Sequence, residues 1–210
     1  MRSAQATTTV TFEGLGHNED IPQTFADNAS ISGTGFDVSL GLAVTGTPNI
    51  DLTWGQGFDH QVDSYQNWDG RGSVAQLDFT RDNSNPITIT FTPDASWGVL
   101  INSFDMDEFS GGGLMSVDWS ITDGIGTLAS GNWSRSTGGR DTIFTGLGAG
   151  DINIGQTVSL TFQGLSGTGS YFALDNLVFD QVPVPEPSAM TLALLGGLGL
   201  GAAAMRRRRK

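Results

Sequence analysis

ITITFTPDASWGVLINSF, residues 87–104, decides the fold. In its first half Ile87, Ile89 and Phe91 alternate with Thr88, Thr90 and Thr92. A period of two puts the apolar set on one side of an extended chain and the threonines on the other. β-Branched and aromatic side chains suit such a half-buried surface. The second half, WGVLINSF, is a further short apolar segment, and the turn-forming Asn83-Ser84-Asn85-Pro86 stands before the pair.

The same reading extends outward. TTTVTFEG, FDVSLGLAV, IDLTW, SVAQLDFT, LMSVDWSIT, TLASGNW, TVSLTFQG and YFALDNLVF are segments of the same kind. Turn signals separate them at Asp69-Gly70, Gly111-Gly112-Gly113, Asp123-Gly124, Gly138-Gly139 and residues 164–169. No segment of the body holds a helical period, and no internal repeat is evident. About ten short strands with Gly-rich turns predict an all-β fold, an antiparallel two-sheet β-sandwich of jelly-roll type. Phe12, Phe79, Phe91, Phe162 and Phe179, or their neighbours one residue over, would line the inner faces.

Charge narrows the functional classes. The chain has 22 acids and 10 cations, and five of those cations are its last five residues. Residues 7–182 hold four Arg, Arg71, Arg81, Arg135 and Arg140, and no Lys. A field of that sign repels phosphate backbones, so no nucleic-acid partner is expected. It is compatible with divalent cations and neutral sugars, or with solubility alone. The absence of Cys excludes disulfides and thiol chemistry, and two His leave little material for a histidine metal site.

The C-terminus has three parts: Pro185-Glu186-Pro187, the uncharged run 188–205, and Arg206, Arg207, Arg208, Arg209 with Lys210. As a helix at about 1.5 Å per residue the run spans roughly 27 Å, close to the roughly 30 Å of a bilayer core. The arginines would stay cytoplasmic and act as a stop, which places the body outside the cytoplasm. This order of motif, apolar helix and arginine cluster resembles the PEP-CTERM sorting signal. The resemblance implies recognition of Pro185, Glu186 and Pro187 by an exosortase, a membrane protease. It further implies a membrane-anchored precursor in a Gram-negative bacterium, delivered to the cell surface or extracellular matrix. At the other end, Ala4-Gln5-Ala6 looks like a signal-peptidase site whose apolar segment would lie upstream. The expected organisation is therefore a signal-peptide remnant at 1–6, a β-sandwich at 7–181 and a proline linker at 182–187. A transmembrane helix at 188–205 and a basic tail at 206–210 complete it.

VTFEGLG, SYQNWDGRGSVAQLDF and YFALDNLVF also resemble segments of jelly-roll domains common among such proteins, which are similar to carbohydrate-binding modules. That resemblance implies a structural Ca²⁺ held by Glu13, after the first strand, and Asp175, in the last. On strict alternation Asp175 shares a face with Ala173, Leu177 and Phe179, where a carboxylate needs a partner or a metal. Asp105, Asp107 and Glu108 in FDMDEF fail the EF-hand pattern; they read as a loose Ca²⁺ site or a solvated edge that blocks aggregation.

Sugar sites combine aromatic faces with amide and carboxylate hydrogen bonds. Trp68, Asp69 and Arg71 in the 54–72 stretch form one candidate, and Trp133 near Arg135 a second. The alternative is a self-packed loop around Trp68 and a buried Trp133. No motif selects a carboxyl pair for glycoside hydrolysis, and no nucleophile elbow is present. The expected function is a non-catalytic, exported surface protein that binds polysaccharide. A purely structural or adhesive spacer and a glycan-active enzyme are the alternatives.

Overall fold

The computed structural model describes residues 6–12, 19–20, 50–54, 62–65, 72, 74–78, 86–95, 97–108, 115–135, 139–151, 155–165 and 171–183. The strands are β1 (Ala6–Val10), β2 (Glu19–Asp20), β3 (Ile50–Trp54), β4 (Val62–Tyr65), β5 (Val74–Asp78) and β6 (Ile87–Pro93). They continue as β7 (Trp97–Glu108), β8 (Met115–Thr122), β9 (Thr127–Arg135), β10 (Gly139–Phe144), β11 (Val158–Gly164) and β12 (Tyr171–Pro183). One 3₁₀ turn covers Ala149–Asp151.

The strands form two antiparallel sheets. The first runs β10-β7-β12-β5-β4-β2, with β1 also paired to β12; the second runs β3-β6-β11-β8-β9. The alternation predicted for residues 87–93 is realised: Ile87, Ile89 and Phe91 are buried and Thr92 is exposed. Leu160 and Phe162 of β11, Val117 and Trp119 of β8 and Leu52 and Trp54 of β3 join them on the inner face of the second sheet. Val99, Phe104, Leu174 and Phe179 answer from the first sheet within one core. Aromatic rings join the layers edge to face. Phe91 meets Phe179 with centroids 5.2 Å apart, and Phe104 meets Trp119 and Phe162, each at 5.5 Å. Each such buried ring contributes about 1.5–3 kcal/mol through removal of apolar surface from water. Phe12, Phe91, Phe162 and Phe179 all lie in this core; Phe79 lies outside the described residues.

Strict alternation fails in the middle of β12. Its register with β7 passes from Asp175↔Asp105 to Val178↔Ser103, so β12 carries one extra residue, and then to Phe179↔Ile101, so β7 carries one. Asn176 sits at φ +43° within the first bulge, a left-handed conformation that Asn tolerates better than most residues. The second bulge leaves the Asn102 carbonyl to accept the Thr145 N–H at 3.0 Å. The two insertions cancel in the ladder but shift the phase of both strands. Phe172 and Leu174 point into the core, and so do Leu177 and Phe179. Asp175 therefore shares the outer face with Ala173 and not with Leu177 or Phe179, which corrects the alternation reading.

Three further differences emerge. β10 occupies residues where Gly138-Gly139 reads only as a turn, and β4 lies inside the 54–72 stretch. β7 is an interior strand, between β10 and β12, so Asp105 and Asp107 are not on an edge. β12 runs to Pro183, so Val182 and Pro183 belong to the sheet and not to a linker. The run 188–205, expected from sequence to be a transmembrane helix, lies outside the described residues. No helix among the described residues is long and apolar enough to cross a membrane.

Candidate functional site

The outer face of the second sheet is built by the polar half of each alternating strand. It carries Asp51 and Thr53 from β3, and Thr88, Thr90 and Thr92 from β6. Ser159, Thr161 and Gln163 follow from β11, Ser116, Asp118, Ser120 and Thr122 from β8, and Ser130, Asn132 and Ser134 from β9. Register aligns these in rungs across the strands. Thr53, Thr90, Ser159 and Thr122 form one; Thr88, Thr161, Ser120 and Ser130 a second; Gln163, Asp118 and Asn132 a third. The strands that carry neighbouring members of a rung stand about 4.8 Å apart. Thr88 and Thr161 share a 3.1 Å hydrogen bond between hydroxyls, and Asn132 donates to Asp118 Oδ1 at 2.8 Å and to Ser116 Oγ at 3.1 Å.

A shallow depression of about 390 Å³ lies here, lined by Asp118, Trp119, Ser120, Ser130, Gly131, Thr161 and Gln163. Gly131 is needed beneath it. A Cβ at that position would come within 2.7 Å of Trp119 Cζ2, and the indole is already packed on Phe104.

The outer face of the first sheet is different. Asp105, Asp107 and Asp175 are buried there, at 6%, 5% and 8% exposure. Asp105 is the hub. Arg140 donates to its Oδ2 through Nε at 2.8 Å and also through Nη2, Thr142 donates to its Oδ1 at 2.5 Å, and Asn176 Nδ2 donates to its Oδ2 at 2.8 Å. Asp175 faces the same guanidinium at 3.2 Å and accepts the Asn176 N–H at 2.8 Å. The bulge at Asn176 thus places both a side-chain and a backbone donor on this cluster.

A third group closes the sandwich edge. Asp141 of β10 accepts Trp133 Nε1 at 2.9 Å, and Arg135 Nε at 2.8 Å and Nη2 at 2.6 Å, from β9 of the other sheet. The hydrogen bond from Arg135, aided by that from Trp133, holds the Asp141 carboxyl below its ordinary pKa against the opposing effect of desolvation.

The residues singled out from sequence are distributed as follows. Trp133 is 4% exposed; its ring is in the core and its N–H is on Asp141, so it presents no open stacking face. Asp175 faces Arg140 at 3.2 Å and accepts the Asn176 N–H. Glu13, Trp68, Asp69, Arg71, Pro185, Glu186, Pro187 and Arg206 to Arg209 lie outside the described residues. Among the described residues no group of three or more His, Cys, Asp or Glu is arranged to hold a metal ion. The hydroxyl rungs escape a search for aromatic and acidic motifs. Their signal is the threonines and serines between the apolar residues, which read simply as solvent-facing.

Residues 183–210 match the PEP-CTERM protein-sorting motif. A motif of this kind marks an exported protein that is anchored in the membrane before processing by an exosortase, a membrane protease. No curated protein matches the chain. Among solved structures the chain is similar to the Stig cyclase Fisc from Fischerella sp. TAU, with 13% identity over 65% of this chain and 76% of that one, at a TM-score of 0.36. It is also similar to a family 11 carbohydrate-binding module from Clostridium thermocellum, solved with a mixed-linked tetrasaccharide, with 15% identity over 68% and 93% of the two chains and a TM-score of 0.32. A third is TmCBM61, solved with β-1,4-galactotriose, with 11% identity over 64% and 88% and a TM-score of 0.30. Likenesses of this size assign neither a ligand nor a reaction.

Proposed function

We propose that the chain is an exported surface or matrix protein whose β-sandwich binds a neutral polysaccharide, without catalysis, on the outer face of its second sheet. The hydroxyl rungs carry this reading. They present donors and acceptors at regular strand spacing, a repeat of the same order as a sugar unit along an extended glycan. The face holds no cation among its described residues, and the acidic body disfavours a polyanionic chain. The two acids on the face also support a non-catalytic role. Asp51 and Asp118, the acids among its described residues, stand three strands apart and in different rungs, so at least about 14 Å, whereas glycoside hydrolysis needs about 5–9.5 Å.

The test is retention on neutral glucans and galactans in affinity electrophoresis. Thr161→Val combined with Ser120→Ala removes two hydroxyls from the central rung. The expected loss of affinity is about tenfold, with the thermal midpoint unchanged. Retention unaltered by the double substitution would move any sugar site away from this face, towards the stretch of sequence holding Trp68, Asp69 and Arg71. The second reading is a structural spacer, favoured by the lack of an exposed aromatic ring on the described part of this face, where Trp119 lines the depression but is buried. Its signature is no retention on any neutral glycan by the unaltered protein.

A further inference from the structure

The depression on the second sheet lies between two unlike rows of side chains. On one side is the hydroxyl rung, from which Thr161, Ser120 and Ser130 line it. On the other side Gln163 and Asp118 line it, and Asn132 continues their row on β9. Ser120 and Asp118 are two residues apart on β8, about 7 Å at the ordinary rise. The depression therefore runs across the strands and not along them. From β11 to β9 it covers two strand spacings, about 10 Å.

Asp118 is the only ionisable group among the lining residues. It is exposed, and among the described residues its carboxylate accepts from Asn132 alone. Asn132 holds it in place. The Asn132 Nδ2 donates to Asp118 Oδ1 at 2.8 Å and to Ser116 Oγ at 3.1 Å, so the amide cannot turn away without losing both bonds. Asp105, Asp141 and Asp175 differ, since each of them faces a guanidinium. An ionised carboxylate offers about four acceptor sites, and Asn132 takes one of them.

The chemistry of the two rows separates their roles. Serine and threonine hydroxyls both donate and accept, so the hydroxyl rung can bond a free sugar hydroxyl or an ether or ester oxygen. An ionised carboxylate only accepts, and its hydrogen bonds are about twice as strong as neutral ones. Its two oxygens match two adjacent hydroxyls of one sugar ring. An acetylated or methylated hydroxyl brings no proton and sets an acceptor against an acceptor. We infer that Asp118, positioned by Asn132, is the specificity-determining residue of this face: it reads a pair of adjacent free hydroxyls on a neutral sugar unit and rejects units in which they are acetylated or methylated. The inference rests on the glycan-binding face proposed above and adds which groups of the glycan that face selects.

The test is affinity electrophoresis of the full chain, in mild detergent, on a neutral glucan and a neutral galactan, each before and after partial O-acetylation. For the unaltered chain, acetylation should weaken retention about tenfold on the glycan that binds. Asp118→Asn keeps the size of the side chain and an acceptor for Asn132. It should weaken retention on the unmodified glycan about tenfold, remove most of the penalty for acetylation, and leave the thermal midpoint unchanged. Retention of Asp118→Asn equal to or tighter than that of the unaltered chain, or an equal penalty for acetylation in both, would overturn the inference. The face itself would then still stand if Thr161→Val with Ser120→Ala weakens binding. No retention of the unaltered chain on either unmodified glycan would overturn the reading of the face, and the role of Asp118 with it.

Discussion

The two outer faces of the sandwich are both polar, yet they use polarity in opposite ways. On the first sheet, Asp105, Asp107 and Asp175 are buried, and Arg140, Thr142 and Asn176 converge on Asp105. Their hydrogen-bonding capacity is spent within the molecule. On the second sheet, hydroxyls and amides stand in rungs with few charges, and many remain exposed to solvent. The lesson is that acid content is a poor guide to function here. Asp105 and Asp175, which look like metal ligands in sequence, bond to residues of β10 and β12, whereas serines and threonines form the polar face of the second sheet.

The sharpest way to break this contrast is Asp105→Ala. It strands Arg140, Thr142 and Asn176 at once, and should cost about 3 kcal/mol in urea unfolding. Asp118→Ala on the opposite face should stay within about 0.5 kcal/mol. Equal costs would erase the distinction. Next, Gly131→Ala forces Trp119 off Phe104 beneath the hydroxyl face and should cost about 1–3 kcal/mol, read by the same unfolding curve. A smaller effect is expected from Asp141, whose pKa is lowered in the folded state. Its contribution is present above the ordinary carboxylate range and is lost as pH falls through that range, from about pH 4 downward. Asp141→Asn should flatten the stability–pH profile there, and an unchanged slope would remove Asp141 from the account. The smallest expected effect is that of EGTA. With Arg140 beside Asp175 the thermal midpoint should not move, and a clear drop would support a structural Ca²⁺.

Much of the sandwich was legible in the sequence because burial on one side enforces a period of two. IDLTW and ITITFTP coincide with β3 and β6, and WGVLINSF and TVSLTFQG lie within or overlap β7 and β11. β10 was not legible. Its inward positions are Gly139, Asp141 and Ile143, and an inward aspartate destroys the apolar alternation that a reader seeks; only the partner residues Trp133 and Arg135 explain it. The face of Asp175 was misread for a related reason. A bulge is one residue of register, invisible in composition, and it turns Leu177 inward after Asp175 has turned outward. The sorting motif was fully legible, since its order of proline, apolar run and arginine needs no tertiary context. The hydroxyl face was present in every alternating segment, but its meaning depends on which strands become neighbours.

The paired bulges of β7 and β12 behave like one extra letter in each of two lines of text. Loss of Asn176 alone would leave Leu177 and Phe179 facing the core, because plain alternation from Leu174 and Asp175 then points both inward and the pairs from Val178↔Ser103 onward are retained. Loss of Asn102 alone would do the same for β7, where Ile101 would follow Ser103 inward. Each bulge is therefore a removable extra letter, whereas a one-residue insertion or deletion elsewhere in either strand would turn the apolar set beyond it outward; the two letters lie more than seventy positions apart in the chain.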